Sequence, residues 1–538
     1  MKTKGFKGKR FQESLVKSEA SHPMPETSDD YLDLGATEEE SGDRWISSDF
    51  SKALRFYQRA YDAYMSALSK SANSSASISD LDIHYNISRL LLHVYNQYFQ
   101  TDGVHINELI NVDDVLLSAQ SVVQKLPTVV ESHERALQLS KDLRTQPSMD
   151  LLYNTGVAYT QVLEDIKNHG DIQLIEVMEL GTKAKGLFQN LLDRQVTQLQ
   201  SFVEELDSMG QTSNLQDPSE FSHDSTIDSQ NAVGEDTLQP PHVFETITLC
   251  YKLSHAILEN TENPTQDIPI FRELVEPFLS TCDHIADNLI GSFSGTKNLQ
   301  SEFLSSISDQ QINEYKISKA YNHSLILNDL SEIISWWESS LSTIADIPEK
   351  YLAVSDSLQG FLDRNDISLK TCNESNHQEM IKTFWQALTI MTNNLKKAQE
   401  LMNGQKQALQ KSGGDNLGTL VSQLSNVLIA RSDIDIQRCQ LNDEQAIKNQ
   451  SILLQNSKVF LKNASTLAGT SGGLRERAVE KLSRKQRQVE SVTRLCLLEN
   501  KTTVEELDVI IGRSRWVREV ASLKKLEYFD SFGVQQIQ

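Results

Sequence analysis

The sequence predicts an all-α protein built from stacked antiparallel helix hairpins. Three observations predict it: apolar residues recur at steps of three and four through most of the chain, runs with a period of two are few, and the apolar segments are divided by short turns carrying Gly, Pro or Ser. Composition agrees, because only 11 prolines and 23 glycines interrupt 538 residues, and an aromatic content of 7% is low for an all-β domain. A chain of this length has ample material for a buried core.

Residues 1–40 read as a flexible N-terminal arm. Its basic start (Lys2, Lys4, Lys7, Lys9, Arg10) lacks the apolar stretch of a secretory signal, and the acidic, Ser- and Pro-bearing SHPMPETSDDYLDLGATEEESGD follows with little apolar periodicity. Residues 41–207 read as helical repeats. The stretch DFSKALRFYQRAYDAYMSAL, 49–68, sets Phe50, Ala53, Leu54, Tyr57, Ala60, Tyr61, Tyr64 and Leu68 on one broad apolar face. Further helices are expected over 80–99, 112–126, 128–143, 148–166 and 174–206. Residues 208–242 are polar and acidic and end in a double proline, so they read as a disordered linker or insertion. An irregular helical region, 243–470, and a set of basic C-terminal helices, 471–538, complete the expected layout.

Charge and cysteine usage narrow the function. With 51 basic against 74 acidic residues the chain carries −23, so nucleic acid could be held only through a local basic patch. Cys250, Cys282, Cys372, Cys439 and Cys496 lie far apart, without metal-like spacing, and read as reduced core thiols of a cytoplasmic or nuclear protein. No window reaches the roughly 18 uncharged apolar residues of a membrane span. No P-loop, dinucleotide fingerprint, nucleophile elbow or H-E-x-x-H is present, so no enzyme activity, cofactor or metal is expected. The SGGDN and SGGL stretches read as helix stops.

Two segments carry a family resemblance. LLYNTGVAY places Leu152, Thr155, Gly156 and Tyr159 at the first-helix positions of a tetratricopeptide repeat, and IHYNISRLLL places His84, Ile87, Ser88 and Leu91 at the same positions. The second-helix pattern appears as Ala53, Tyr57 and Ala60, and again as Ala184, Phe188 and Leu191. The two YN pairs stand two periods of about 34 residues apart, which fits either two repeats or one repeat with an insertion. The chain resembles a degenerate array of this class over roughly 40–205, similar to fungal tetratricopeptide-type proteins. The resemblance implies a TPR-like α-solenoid, small residues where helix backbones approach, and a concave groove that binds a protein.

On that groove Asn86, Arg89 and Asn154 are the polar candidates, with Lys252 beyond them. A carboxylate clamp of the kind found in this family needs lysines that do not match here. Adjacent Trp336 and Trp337 point about 100° apart on a helix, so either that helix is buried on two sides or one ring faces a partner. Arg484, Lys485 and Arg487 lie in a basic C-terminal helix that could pair with the acidic body or touch RNA. The expected function is a non-enzymatic scaffold, assembly adaptor or chaperone that holds a peptide or helix of another protein, plausibly a basic client. The alternative is an RNA-binding or ribosome-associated factor using the basic C-terminal helices.

Overall fold

The computed structural model describes residues 25–71, 77–166, 173–212, 238–291, 306–375 and 377–537, and no strand occurs among them. The protein is all-α. Helix α1 (Ser28–Ile46) opens with a capping box in which Thr27 and Asp30 bind each other's backbone N–H. This helix is a correction to the expected arm, whose residues 28–40 are helical, while residues 1–24 lie outside the described ones. The buried face of α1 consists of Gly35, Glu39 and Gly42, which carry no apolar signal. Against it lies α2 (Phe50–Ser71), with Tyr64 over Gly35 and Tyr57 over Gly42, so the two helices run antiparallel in very close contact.

Helix α3 (Ile78–Tyr95) runs into a π-helical turn, Asn96–Gln100, and a long connection. The helix expected over 112–126 is reduced to α4 (Asp113–Leu116), followed by turns. The cause is local competition for the backbone. Gln58 from α2 donates to Gln120 O at 2.8 Å and accepts from the Val122 N–H at 2.8 Å, while the Ser118 and Ser121 hydroxyls accept from Gln120 and Val123. Next come α5 (Leu126–Asp142), α6 (Met149–Ile166) and α7 (Leu174–Thr212). Between Asn86 and Asn154, α3 packs on α5 with a long connection between them.

Helix α8 (Pro240–Glu259) begins at the double proline, whose fixed φ suits the first helical turn. The ends of the expected 208–242 linker therefore belong to α7 and α8, and residues 213–237 lie outside the described ones. The chain continues as α9 (Pro264–Gly291), α10 (Asp309–Leu325), α11 (Leu330–Leu341), α12 (Pro348–Arg364), α13 (Leu369–Ser375) and α14 (Gln378–Ser412). Gly413 stops α14 in the left-handed region, at φ 66°. Then follow α15 (Leu417–Cys439), α16 (Glu444–Ala468), α17 (Ala478–Leu498), α18 (Val504–Ile510) and α19 (Arg513–Leu523).

Packing mostly follows chain order, from α1 on α2 through α3, α5, α6, α7 and α8, then α10, α12 and α14 to α17. Apolar clusters share residues with their neighbours: Val130 and Val162 join the first two, Tyr321 the next, and Leu467 the last. All five cysteines are buried free thiols. Trp337 is buried and donates to Ser357 Oγ of α12, while half-buried Trp336 donates to Ala320 O of α10, so α11 is buried on two sides.

His133 on α5 is wholly buried and donates Nδ1–H to Val129 O at 2.8 Å, and burial pushes its pKa down to about 4. The folded chain resists a proton that the unfolded chain accepts below about 6.5. Stability is therefore complete above that pH and falls as pH drops toward 4. We expect His133 alone to cost about 2 kcal/mol between pH 7 and pH 5. Urea midpoints of the wild type and of His133→Leu, compared at both pH values, check this: the variant should show the shallower pH dependence.

Candidate functional site

Helices α3, α6, α7 and α8 wall a cleft of about 1000 Å³. Arg89 from α3 and Asn154 from α6 both line it. Asn86 lies one turn back on α3 and accepts from Arg89 at 3.3 Å. The sequence-derived groove residues are thus brought together. Trp336 and Trp337 lie elsewhere, within the α10–α12 packing, and Lys252 pairs with Glu164 at 3.3 Å.

Arg89 is held from behind. Its guanidinium meets the buried Glu39 carboxylate of α1 at 2.7 and 2.8 Å, and Tyr64 donates to the same carboxylate at 2.9 Å. Burial works against the charge of Arg89, yet Glu39 more than offsets it and raises the pKa. The Glu39–Arg89 pair is locally neutral, and its fork geometry fixes the arginine in the cleft wall. Arg194 of α7 donates to Pro147 O at 2.6 Å and so braces the start of α6.

The remaining lining mixes rings with hydrogen-bonding groups. Tyr153 donates to Glu245 at 2.7 Å across the α6–α8 gap, and Tyr85 stands near Asp150 at 3.5 Å. Burial first, then the Asp150 carboxylate, push the Tyr85 phenol up to about 12, so it is a permanent donor. Asn154 makes no side-chain hydrogen bond to the described residues, and Oε1 of the buried Gln195 has no donor. With the Glu39–Arg89 pair set aside, Asp150 and Glu245 face one arginine, Arg194, so the lining is slightly acidic. Sequence reasoning missed Glu39, Tyr85, Asp150, Arg194 and Glu245. The YN pairs were the available signal, since Tyr85 and Tyr153 precede Asn86 and Asn154 in both copies.

The basic C-terminal residues are placed differently. Arg484 is buried between Glu476 and the Ala468 carbonyl, and Arg487 pairs with Glu490 and Asp102. Lys485 is exposed, and partial loss of hydration, then neighbouring Arg515 and Lys481, lower its pKa. Among the described residues no group of three or more His, Cys, Asp or Glu is placed to hold a metal ion, and no described helix is long and apolar enough to cross a membrane.

Comparison with known proteins adds a relationship over part of the chain. A family model described as the YNL193W C-terminal domain matches residues 357–515, from the second half of α12 to the start of α19. The chain is 25% identical over 279 residues to the uncharacterized protein YNL193W of Saccharomyces cerevisiae, covering 48% of this chain and 47% of that one. It thus spans about half the length of the curated relative that it matches. No solved structure matches. The C-terminal part of the chain is therefore similar to the YNL193W C-terminal domain, and the cleft lies N-terminal to that matched stretch.

Proposed function

We propose that the protein is a non-enzymatic scaffold or assembly adaptor, a TPR-like solenoid that holds a peptide or helix of a partner protein in the α3–α6–α8 cleft. The observation that carries this reading is the position of the cleft. Three of its four walls, α3, α6 and α8, stand where the first helices of successive hairpins would line the concave face of a helical-repeat array, and α7 supplies the fourth. Two rings, Tyr85 and Tyr153, supply rigid contact area, and Asn154 is free to bond a backbone amide. Asp150 and Glu245 favour a basic segment, in keeping with a client chaperone of acidic character. A partner of this kind is the chemistry that the lining fits best.

The alternative, a nucleic-acid-associated factor, rests on Lys481, Lys485 and Arg515, since Arg484 and Arg487 have their charges matched internally. Affinity purification of the tagged chain from its own cells separates the two readings. We expect Asp150→Lys with Asn154→Arg to reduce the recovered partner at least about 10-fold with little change in melting temperature. A charge reversal at Lys481 and Lys485 should leave recovery unchanged. The opposite pattern overturns the cleft reading.

A further inference from the structure

The two ends of the chain meet. Helix α17 returns to the N-terminal helices and packs Ala478, Val479 and Leu482 against their apolar cluster. The Ala478 N–H donates to Ser47 O at 2.8 Å, in the turn between α1 and α2. Asp102 accepts from Arg487 at 2.6 Å and from the Ser483 hydroxyl at 2.9 Å. His105 meets Gln486 at 3.3 Å, and Glu108 pairs with Arg518 of α19 at 2.6 Å. Gly103, at φ +78°, lies so close that a Cβ there would fall 2.6 Å from the Leu482 backbone.

We infer that this seam is a reversible latch, and that it governs the order of the α3 wall of the cleft; its bearing on partner binding rests on the cleft reading above. Opening leaves no buried charge without a partner. Arg487 keeps Glu490, its neighbour one turn along α17, when Asp102 departs. Asp102 and Glu108 are already 48% and 42% exposed and pass into water, as does Arg518. The ion network a turn further along α17 differs: Arg494, Asp433 and Glu519 are each no more than 14% exposed, and separating them would strand charge in the core. A groove of about 270 Å³, open to solvent, also runs along the seam beside Asp102, Ser422 and Ser483. Polar, half-exposed contacts of this kind weaken as salt rises.

The latch reaches the cleft through the chain itself. The gripped segment 101–108 follows directly on the π-helical turn Asn96–Gln100 and on α3, and α3 and that turn place Arg89, His93 and Asn96 in the cleft wall. Releasing the segment frees the C-terminal end of that wall. It leaves α6 and α8 supported by their own hairpins.

Hydrogen exchange on the full-length chain tests this without any partner. The probes are Asp102→Asn with Glu108→Gln, and the wild type in 0.5 M salt. Exchange at 92–108 and at 478–487 is expected to rise about 10-fold in both, while 152–160 and 489–496 keep their protection. A second variant, Gly103→Val, should give the same regional pattern by wedging the backbones apart. Unchanged protection over 92–108 in all three samples overturns the latch, and so does an equal rise everywhere, which would make the seam part of one cooperative core. A failure to find any cleft partner leaves these exchange rates as they are, so the two ideas fail separately.

Discussion

Arg494→Met should lower stability by about 3–5 kcal/mol, read as a drop in the urea midpoint of the C-terminal helices. Arg494 on α17 bonds Asp433 of α15 through Nε at 3.1 Å and Glu519 of α19 through Nη1 at 2.6 Å. Tyr528 adds a bond to Asp433 at 3.3 Å. Methionine retains the volume and removes the cation, which leaves two carboxylates desolvated beside Glu490. Burial already raises the pKa of Asp433 against the opposing pull of Arg494, so this carboxylate depends on its partner to remain charged. Replacing all three members by apolar residues of similar size should recover most of the loss, because it removes the stranded charges along with the cation. A triple variant as unstable as the single one would show that the network does more than match charge.

The second large effect is steric. A Cβ at Gly42 would stand 2.4 Å from the Tyr57 ring, one at Gly35 2.2 Å from Tyr64, and one at Gly156 2.6 Å from Phe188. The tyrosines cannot swing aside freely. Tyr57 donates to Asp43 at 2.8 Å and meets His93 at 3.1 Å, while Tyr64 is tied to Glu39. Gly42→Val should therefore cost about 3 kcal/mol, mainly from overpacking, with a part-buried hydrogen bond to Asp43 lost as well. Gly404, inside α14 with open space around its Cα, supplies the contrast: Gly404→Ala should stabilise by about 0.5–1 kcal/mol through helix propensity alone. Thermal melts of the two variants should move in opposite directions.

Helices with a continuous apolar face were legible in the sequence, and α2, α3, α6 and α8 show why: each buries Leu, Ile, Tyr or Ala at helical spacing. Helix α1 was not, because it buries glycine and a glutamate and packs by close approach. Its acidic surface resembles that of a flexible arm. The 112–126 segment misled in the other direction, since Val112, Val115, Val122 and Leu126 are buried at helix-like spacing while Gln58 and two serines bind its backbone in place of a helix ladder. The repeat register singled out Asn86, Arg89 and Asn154 as polar candidates of one face; Arg89 and Asn154 line the cleft, and Asn86 stands behind Arg89. Glu39, the partner that fixes Arg89, lies fifty positions away in a segment with no repeat signal. The adjacent tryptophans admitted two explanations, and only the positions of α10 and α12 on either side of α11 decide between them. The basic run 484–487 could not reveal its partners from spacing, because Asp102 and Arg487 are 385 positions apart.

These placements separate two kinds of arginine chemistry. Arg494 anchors the helices that resemble the YNL193W C-terminal domain, and Arg487 joins that region to the cleft-bearing half through a partly exposed seam. We propose that partner capture and conformational control fall to different parts of one helical chain.

The most direct measurement places a photo-activated benzophenone side chain at position 154 of the full-length protein, with position 485 as the comparison, and identifies what each captures in the protein's own cells. The account predicts one dominant protein crosslinked from 154, lost when Asp150 is changed to Lys, and little from 485. Capture of RNA or protein from 485 with none from 154 would contradict it, and would move the functional surface to the basic C-terminal helices.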